Sequence, residues 1–315
     1  MNRYIDVYRA SDKGLRDTNE DVEKVIVNMR IGDDTYQVDK CSADVFILCD
    51  GHGNSLVAEF VAHELEKNLT HIRTRYPLSS EYVKKLYSSI QNKIKLHPKR
   101  IADYAGCTAL VMVRYIYQSA IWIQVMNLGD CRAVMSKSGM AIPLTRDHKP
   151  YWPDEKRRID RINETRPISK QAHVHFDSGD WRIRDLSVSK SFGDLDNQPY
   201  ISHCPDVFNY PLSNHDKFIV LACDGVWDVL ENHEVINFIS DHLTNNHIEL
   251  YDIPNRYSHD QLPSKMSIAH KLAKYAIARG STDNVSVIII DLYASLSKKN
   301  EEQFMHNNDN IDNYI

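Results

Sequence analysis

Acidic residues at the ends of apolar runs are the groups best suited to do chemistry in this 315-residue chain. Val45-Phe46-Ile47-Leu48-Cys49 leads into Asp50-Gly51-His52-Gly53, and Phe218-Ile219-Val220-Leu221-Ala222-Cys223 leads into Asp224-Gly225. Each predicts a buried strand that carries a carboxylate to the rim of a core, where glycine lets the backbone turn sharply and leaves its carbonyl reachable. Glu20-Asp21 and Asp283-Asn284 set further carboxylates beside strands. Mg²⁺ and Mn²⁺ take octahedral oxygen sets and keep several waters, so a site needs only a few carboxylates and a main-chain carbonyl. Glu20, Asp50, Gly51, Asp224 and Asp283 could hold two such ions, which points to metal-assisted hydrolysis. The chain has no CxxC pair and no His-x-x-x-His pair near these strands, which argues against zinc.

The elements that must position these groups are legible in the periodicity. Alternation predicts strands near Ile5 to Tyr8, Val25 to Val27, Val45 to Leu48, Ala109 to Ile116, Ala120 to Met126, Ala133 to Met135, Phe218 to Ala222 and Val285 to Leu292. Helical spacing predicts helices through Val57, Val61, Leu65 and Leu69, from about Glu81 to Lys95, through Val235, Ile236, Ile239 and Leu243, and through Ile268, Ala269, Leu272 and Ala276. Asn232 reads as an N-cap and Gly280 as a C-terminal stop. Helices follow runs of strands and do not alternate with them, so a doubly wound parallel sheet fits poorly and an α+β strand core covered by helices fits better.

Composition bounds the function. A hydrophobic content of 42%, a charged content of 26% and a net charge of -5 describe a globular chain and disfavour a general polyanion or nucleic-acid binder. No apolar run spans a bilayer and no signal-peptide pattern opens the chain, so neither membrane nor secretory partners are expected. Six scattered cysteines fit reduced thiols in a cytoplasmic or nuclear compartment. Cys49 and Cys223 each precede an Asp-Gly, and alternation turns them to the face opposite that aspartate as core fillers.

Eight strings now carry a family resemblance: Arg16 to Asp21, Asp50-Gly51-His52-Gly53, Gly106-Cys107-Thr108-Ala109, Asn127 to Arg132, Leu144 to Pro150, Leu186 to Asp194, Asp224 to Asp228, and Gly280 to Asn284. In order and spacing they resemble the metal-dependent protein phosphatases of type 2C, over roughly residues 1 to 296. The resemblance implies a central antiparallel β-sandwich flanked by α-helices on both sides, a binuclear Mn²⁺ or Mg²⁺ centre, and hydrolysis of phosphoserine and phosphothreonine in phosphoprotein substrates; a monomer is expected, though nothing in the sequence determines the oligomeric state. By position it implies Asp50 as the carboxylate shared by both ions, Glu20 and the Gly51 carbonyl on one, and Asp224 and Asp283 on the other. It further implies Asp21 as an outer ligand acting through water, Arg16 as the phosphate-binding arginine, His52 as general acid, and Asp130 at a weaker third ion. Each role suits its side chain: arginine offers a rigid fork for phosphate oxygens, and a serine alkoxide is a poor leaving group that needs a proton from an imidazolium.

The chain departs from the family pattern at Cys131, Lys190 and Asn54, and along Ile162 to Trp181, so the flap over residues 157 to 185 has an unpredicted shape. Its basic cluster Lys156, Arg157, Arg158, Arg161 and Arg166 is either the polar side of a short helix or an attractor of acidic phosphopeptides. His173-x-His175-x-Asp177 reads as a solvated strand edge more readily than as a zinc site. Residues 245 to 263 read as a surface excursion and 297 to 315 as a polar, disordered tail. The rival functions are a pseudophosphatase acting as a binding module, which retention of Glu20, Asp50, Asp224 and Asp283 disfavours, and a metal-dependent phosphodiesterase.

Overall fold

The computed structural model describes residues 5 to 31, 41 to 249 and 267 to 292. The tail at 297 to 315 and most of the excursion at 245 to 263 lie outside the described residues. In chain order the elements are β1 (Asp6–Asp12), β2 (Val22–Ile31), β3 (Cys41–Cys49), β4 (Gly51–His52), α1 (Ser55–Leu69), α2 (Ser80–Lys95), β5 (Gly106–Cys107), β6 (Ala109–Tyr117), β7 (Ala120–Leu128), β8 (Arg132–Lys137) and β9 (Met140–Pro143). There follow α3 (Pro153–Glu164), β10 (Val174–Asp177), β11 (Asp180–Ile183), β12 (Phe192–Gly193), β13 (Asp206–Pro211), β14 (Asp216–Ala222), α4 (Asp224–Trp227), α5 (Asn232–Glu249), α6 (Ile268–Ala278) and β15 (Val285–Asp291).

Two five-stranded sheets, ordered β1-β15-β14-β8-β9 and β13-β7-β6-β3-β2, pair antiparallel throughout. Their central strands are apolar on both faces, and alternation sorts the two sets. Phe46, Leu48, Leu110, Met112, Ile219, Leu221, Ile288 and Ile290 fill the space between the sheets. Val45, Ile47, Val111 and Val113 face outward onto α1 and α2, while Val220, Ala222, Val287 and Ile289 face α5 and α6. This is the expected α+β sandwich with helices on both sides. Continuous apolar runs of five or six residues mark strands buried on both faces, since a half-solvated strand would alternate with polar residues.

Several small elements escaped the periodicity. β13 carries only one wholly apolar pair, β9 is four residues long, and β4, β5 and β12 form a three-stranded patch of two residues each. Asn54, a departure from the family pattern, caps α1 by accepting the Leu56 N–H at 3.0 Å. Asn232 is the first residue of α5, and its side chain accepts from Arg132 Nη1 at 2.7 Å, a tie between sheet and helix. Gly280 follows α6 at φ 105°, as a helix stop requires. Among the described residues no helix is long and apolar enough to cross a membrane.

Candidate metal centre

The ends of β3 and β14 meet at one edge of the sandwich. Asp50, immediately after β3, and Asp224, at the start of α4, lie with Asp130 so that one carboxylate oxygen of each is within 4.8 Å of the others. They line a cavity of about 510 Å³ whose rim carries Arg16, Glu20, Gly51, His52 and Asp283. The carboxylates, Gly51, Arg16 and His52 proposed from the sequence for the metal and phosphate site therefore converge, with Asp21 just beneath: an oxygen of Asp21 is within 4.8 Å of one of Asp50.

The backbone explains the convergence. Thr108 clamps Asp50 from both sides, donating its N–H to the Asp50 carbonyl at 2.8 Å and accepting the Asp50 N–H on Oγ1 at 3.1 Å. Asn284 stitches the N-terminal loop to the far end of the chain, accepting the Glu20 N–H at 2.9 Å and donating to the carbonyls of Lys13 and Thr18. Close approach excludes a side chain at Gly225 and at Gly51, beside the carboxylates. A Cβ on Gly225 would stand 2.0 Å from the Asn284 carbonyl oxygen, and one on Gly51 would stand 2.4 Å from that of Glu20. Spacing along the chain signals neither Thr108 nor Asn284 as a positioning residue, because both act across more than fifty residues.

The electrostatics of the cluster call for cations. Burial raises the Asp50 pKa well above the ordinary carboxylate range, and the charges of Asp224, Asp21, Asp130 and Asp283 add to it. Burial likewise raises Asp224, with Asp130 and Asp228 contributing. Asp21 is pushed up to about 6, chiefly by burial; Asp283 adds to the rise and the polar neighbours Ser286 and Cys223 relieve only part of it. Both Asp21 oxygens are buried without a well-formed hydrogen bond. Buried, mutually repelling carboxylates fit hard divalent cations, and Glu20, Asp50, the Gly51 carbonyl, Asp224 and Asp283 are the oxygen donors that could hold them.

Cys223 is a buried core filler, as expected: its backbone is still extended and it shares the inter-sheet layer with Ile219 and Leu221. The sequence did not show that this layer ends at the acidic centre, where Cys223 Sγ lies within 4.8 Å of an oxygen of Asp21 and one of Asp50. Cys49, still within β3, faces the α1 layer as expected. The basic cluster of the flap does not line the cavity. Arg158 is engaged by Glu155 at 2.8 Å and by the carbonyls of Ser189 and Tyr200, and Arg166 covers the Tyr200 ring. His175 and Asp177 sit exposed on β10, and no metal-ligating cluster among the described residues includes them.

Three cationic groups at the centre already have carboxylate partners. Arg16 Nη2 donates to Asp283 Oδ2 at 2.7 Å, and Lys149 Nζ to Asp130 Oδ2 at 2.6 Å. His52 Nε2 lies 2.8 Å from Asp194 Oδ1. Burial disfavours the charged imidazole, yet the hydrogen bond and charge of Asp194, with Asp130 and Glu20 beyond, outweigh it and hold the His52 pKa above its ordinary value. Asp194 belonged to one of the eight strings but had no role assigned from the sequence. It is 2% exposed, adopts φ 44°, and accepts from Ser191 Oγ. The departures are also accounted for: Cys131 Sγ contacts Thr108 Oγ1 at 3.1 Å, and Lys190 Nζ donates to Asp206 at 2.9 Å.

Residues 8–285 match the family model "Protein phosphatase 2C". A PP2C-like domain-containing protein of Acanthamoeba polyphaga mimivirus is 64% identical over 168 residues, 53% of this chain and 93% of that protein. A protein kinase and PP2C-like domain-containing protein of Oryza sativa subsp. japonica is 29% identical over 89% of this chain, which spans only 38% of the length of that relative. Protein phosphatase 1L of Bos taurus is 29% identical over 93% of this chain and 73% of its own. Among solved structures, serine-threonine phosphatase 2C from Toxoplasma gondii superposes with a TM-score of 0.67 at 20% identity, covering 91% of this chain and 94% of that one. A C. elegans sex determining protein superposes with a TM-score of 0.72 at 23% identity, covering 91% of this chain and 65% of that one. At these identities the superpositions establish a shared fold.

Proposed function

The chain belongs to the protein phosphatase 2C family, a family of protein serine/threonine phosphatases, and from that premise we propose that it hydrolyses phosphoserine and phosphothreonine esters on a binuclear Mn²⁺ or Mg²⁺ centre. The observation that carries this reading is the trio Asp50, Asp130 and Asp224, with oxygens within 4.8 Å of one another, on the floor of a cavity rimmed by an arginine and a histidine.

Asp50 would be shared by both ions, with Glu20 and the Gly51 carbonyl completing one set, Asp224 and Asp283 the other, Asp130 a weaker third ion and Asp21 acting through water. When bound, the ions supply a nucleophilic water near neutral pH and neutralise phosphate oxygens. The side chains do the rest. Arg16, now on Asp283, can present its fork to the phosphate and orient it. His52, whose charged form Asp194 favours, is placed to deliver a proton to the departing serine or threonine oxygen. Thr108 and Asn284 keep the carboxylate-bearing loops in register while charge shifts.

The substrates would be phosphoproteins, engaged by a monomer without nucleic-acid or membrane partners. Cys49, Cys107, Cys131, Cys204 and Cys223 are free thiols, which favours a reducing, cytoplasmic or nuclear setting. Retention of every proposed ligand weighs against a pseudophosphatase. One assay separates the readings: hydrolysis of a phosphopeptide and of a dinucleotide with Mn²⁺, Mg²⁺ or EDTA, by the wild type and by Asp50→Asn and Asp224→Asn. Metal-dependent phosphopeptide hydrolysis lost in both variants is expected; dinucleotide cleavage alone, or no turnover with either metal, overturns the proposal.

A further inference from the structure

The flap hairpin, absent from the family pattern as a predictable shape, brings one uncommitted cation to the cavity. Strands β10 and β11 pair only with each other, in the register Val174↔Ile183, His175↔Arg182, Phe176↔Trp181 and Asp177↔Asp180, closed by a turn at Ser178 and Gly179 with φ of 53° and 91°. Alternation therefore splits the hairpin into two faces. Ile183, fully buried with Ile159, Ala172, Tyr200 and Ile201, roots one face in a small core of its own. Asp180 and Arg182 belong to the other face. That face looks toward the catalytic carboxylates: Arg182 lines the cavity, and Asp180 Oδ2 lies 3.8 Å from Lys149 Nζ, which is itself paired with Asp130.

Arg182 differs from the other cations of the cavity. Arg16 and His52 each have a carboxylate partner, at 2.7 and 2.8 Å. Arg182 has none within 4.0 Å among the described residues; its Nη1 donates to the Asp185 carbonyl at 2.6 Å, which anchors one edge of the guanidinium and leaves Nη2 and Nε for a ligand. A cavity of about 510 Å³ lies in the range that encloses drug-sized ligands. A single phosphate does not fill it, so residues flanking the phosphorylated one enter too. We propose that Arg182 is a specificity-determining residue that binds a second anionic group of the substrate, a carboxylate or phosphate on a residue close to the scissile phosphoester. The assignment rests on the phosphatase reading, and it moves the recognition of acidic substrates from the α3 cluster to the hairpin. Lys156, Arg157 and Arg161 stand exposed on α3 and are not among the residues that line the cavity.

The test uses the full chain and three phosphoserine peptides matched except for one flanking position, which is glutamate, a second phosphoserine or glutamine. Binding is read by fluorescence anisotropy with non-hydrolysable phosphonate versions, and turnover by phosphate release. At low ionic strength the wild type is expected to favour a peptide with a second anion over the glutamine peptide by roughly three- to ten-fold, the scale of one partly exposed ion pair. The preference should sit in KM, vanish in Arg182→Gln, survive in part in Arg182→Lys, invert in Arg182→Glu, and shrink with added salt. Preference for only one of the two anionic peptides identifies the group that is read. A preference retained in Arg182→Gln, or absent in the wild type, overturns the assignment. Failure of the metal-loaded wild type to hydrolyse any peptide sinks the phosphatase reading separately, and the binding series then decides the role of Arg182 by itself.

Discussion

His52 Nε2 and the Asp194 carboxylate are 2.8 and 3.0 Å apart, although 142 residues separate them in the chain. Asp194 is able to hold the imidazole because Gly106 leaves room: a Cβ there would stand 2.3 Å from Asp194 Oδ2. The pair fixes the ring and favours its charged form. A raised pKa means that the stabilisation from this pair is present below the ordinary histidine value of about 6.5 and is lost as pH rises through the higher folded value.

Asp194→Asn is expected to lower kcat by about 10- to 100-fold, part of what a general acid contributes, with a smaller change in KM. The loss should be larger for a phosphoserine peptide than for p-nitrophenyl phosphate, whose leaving group needs no proton. Equal losses on both substrates would assign Asp194 a purely structural role.

Asp21→Asn trades stability against metal binding. In the metal-free protein the Asp21 pKa of about 6 exceeds the ordinary carboxylate value, so its stabilising proton is held below about pH 4 and lost as pH rises through 6. Metal-free Asp21→Asn should therefore unfold at a higher temperature than metal-free wild type at pH 7, by on the order of 2 kcal/mol, with the gap closing toward pH 4. Its affinity for Mn²⁺, read by calorimetry, should fall. A variant less stable than wild type at neutral pH would refute the account of Asp21 as a strained, cation-seeking group.

Gly225→Ala forces a Cβ against the Asn284 carbonyl, 2.0 Å away. Backbone cannot yield there without moving Asp283, so the substitution should cost about 2 kcal/mol or more in denaturant unfolding. Mn²⁺ affinity should fall as well. Unchanged affinity would show that Asp283 is not held by this contact.

Mn²⁺ should raise the thermal midpoint of the wild type, since an ion at a hundred times its Kd stabilises by about 2.7 kcal/mol. Asp224→Asn should abolish most of that rise along with turnover. A full rise in the variant would remove Asp224 from the ligand set.

Arg16→Ala should raise KM, and because Arg16 occupies Asp283 at 2.7 Å, Mn²⁺ binding should be no weaker than in the wild type. Weaker binding would mean that Arg16 organises Asp283 rather than competing for it.

The acidic centre was legible along the chain because its leading members sit at element boundaries, where a continuous apolar run breaks at Asp50 or Asp224 and a glycine follows. The sandwich was legible for the same reason: runs buried on both faces leave no polar residue to hide them. What escaped depended on distances the chain order does not encode. Cys223 lies beside Asp21 because the inter-sheet layer it fills ends at the acidic centre, and Arg158 and Arg166 found partners in Glu155, Ser189 and Tyr200. Local pattern determines which residues are apolar, which turn, and where carboxylates emerge, because those preferences act within a few positions. Only tertiary packing decided that Asp194 would meet His52, that Thr108 would clamp Asp50, and that Arg182 would reach the cavity uncommitted, because each contact joins segments brought together by the closing of two sheets and a hairpin.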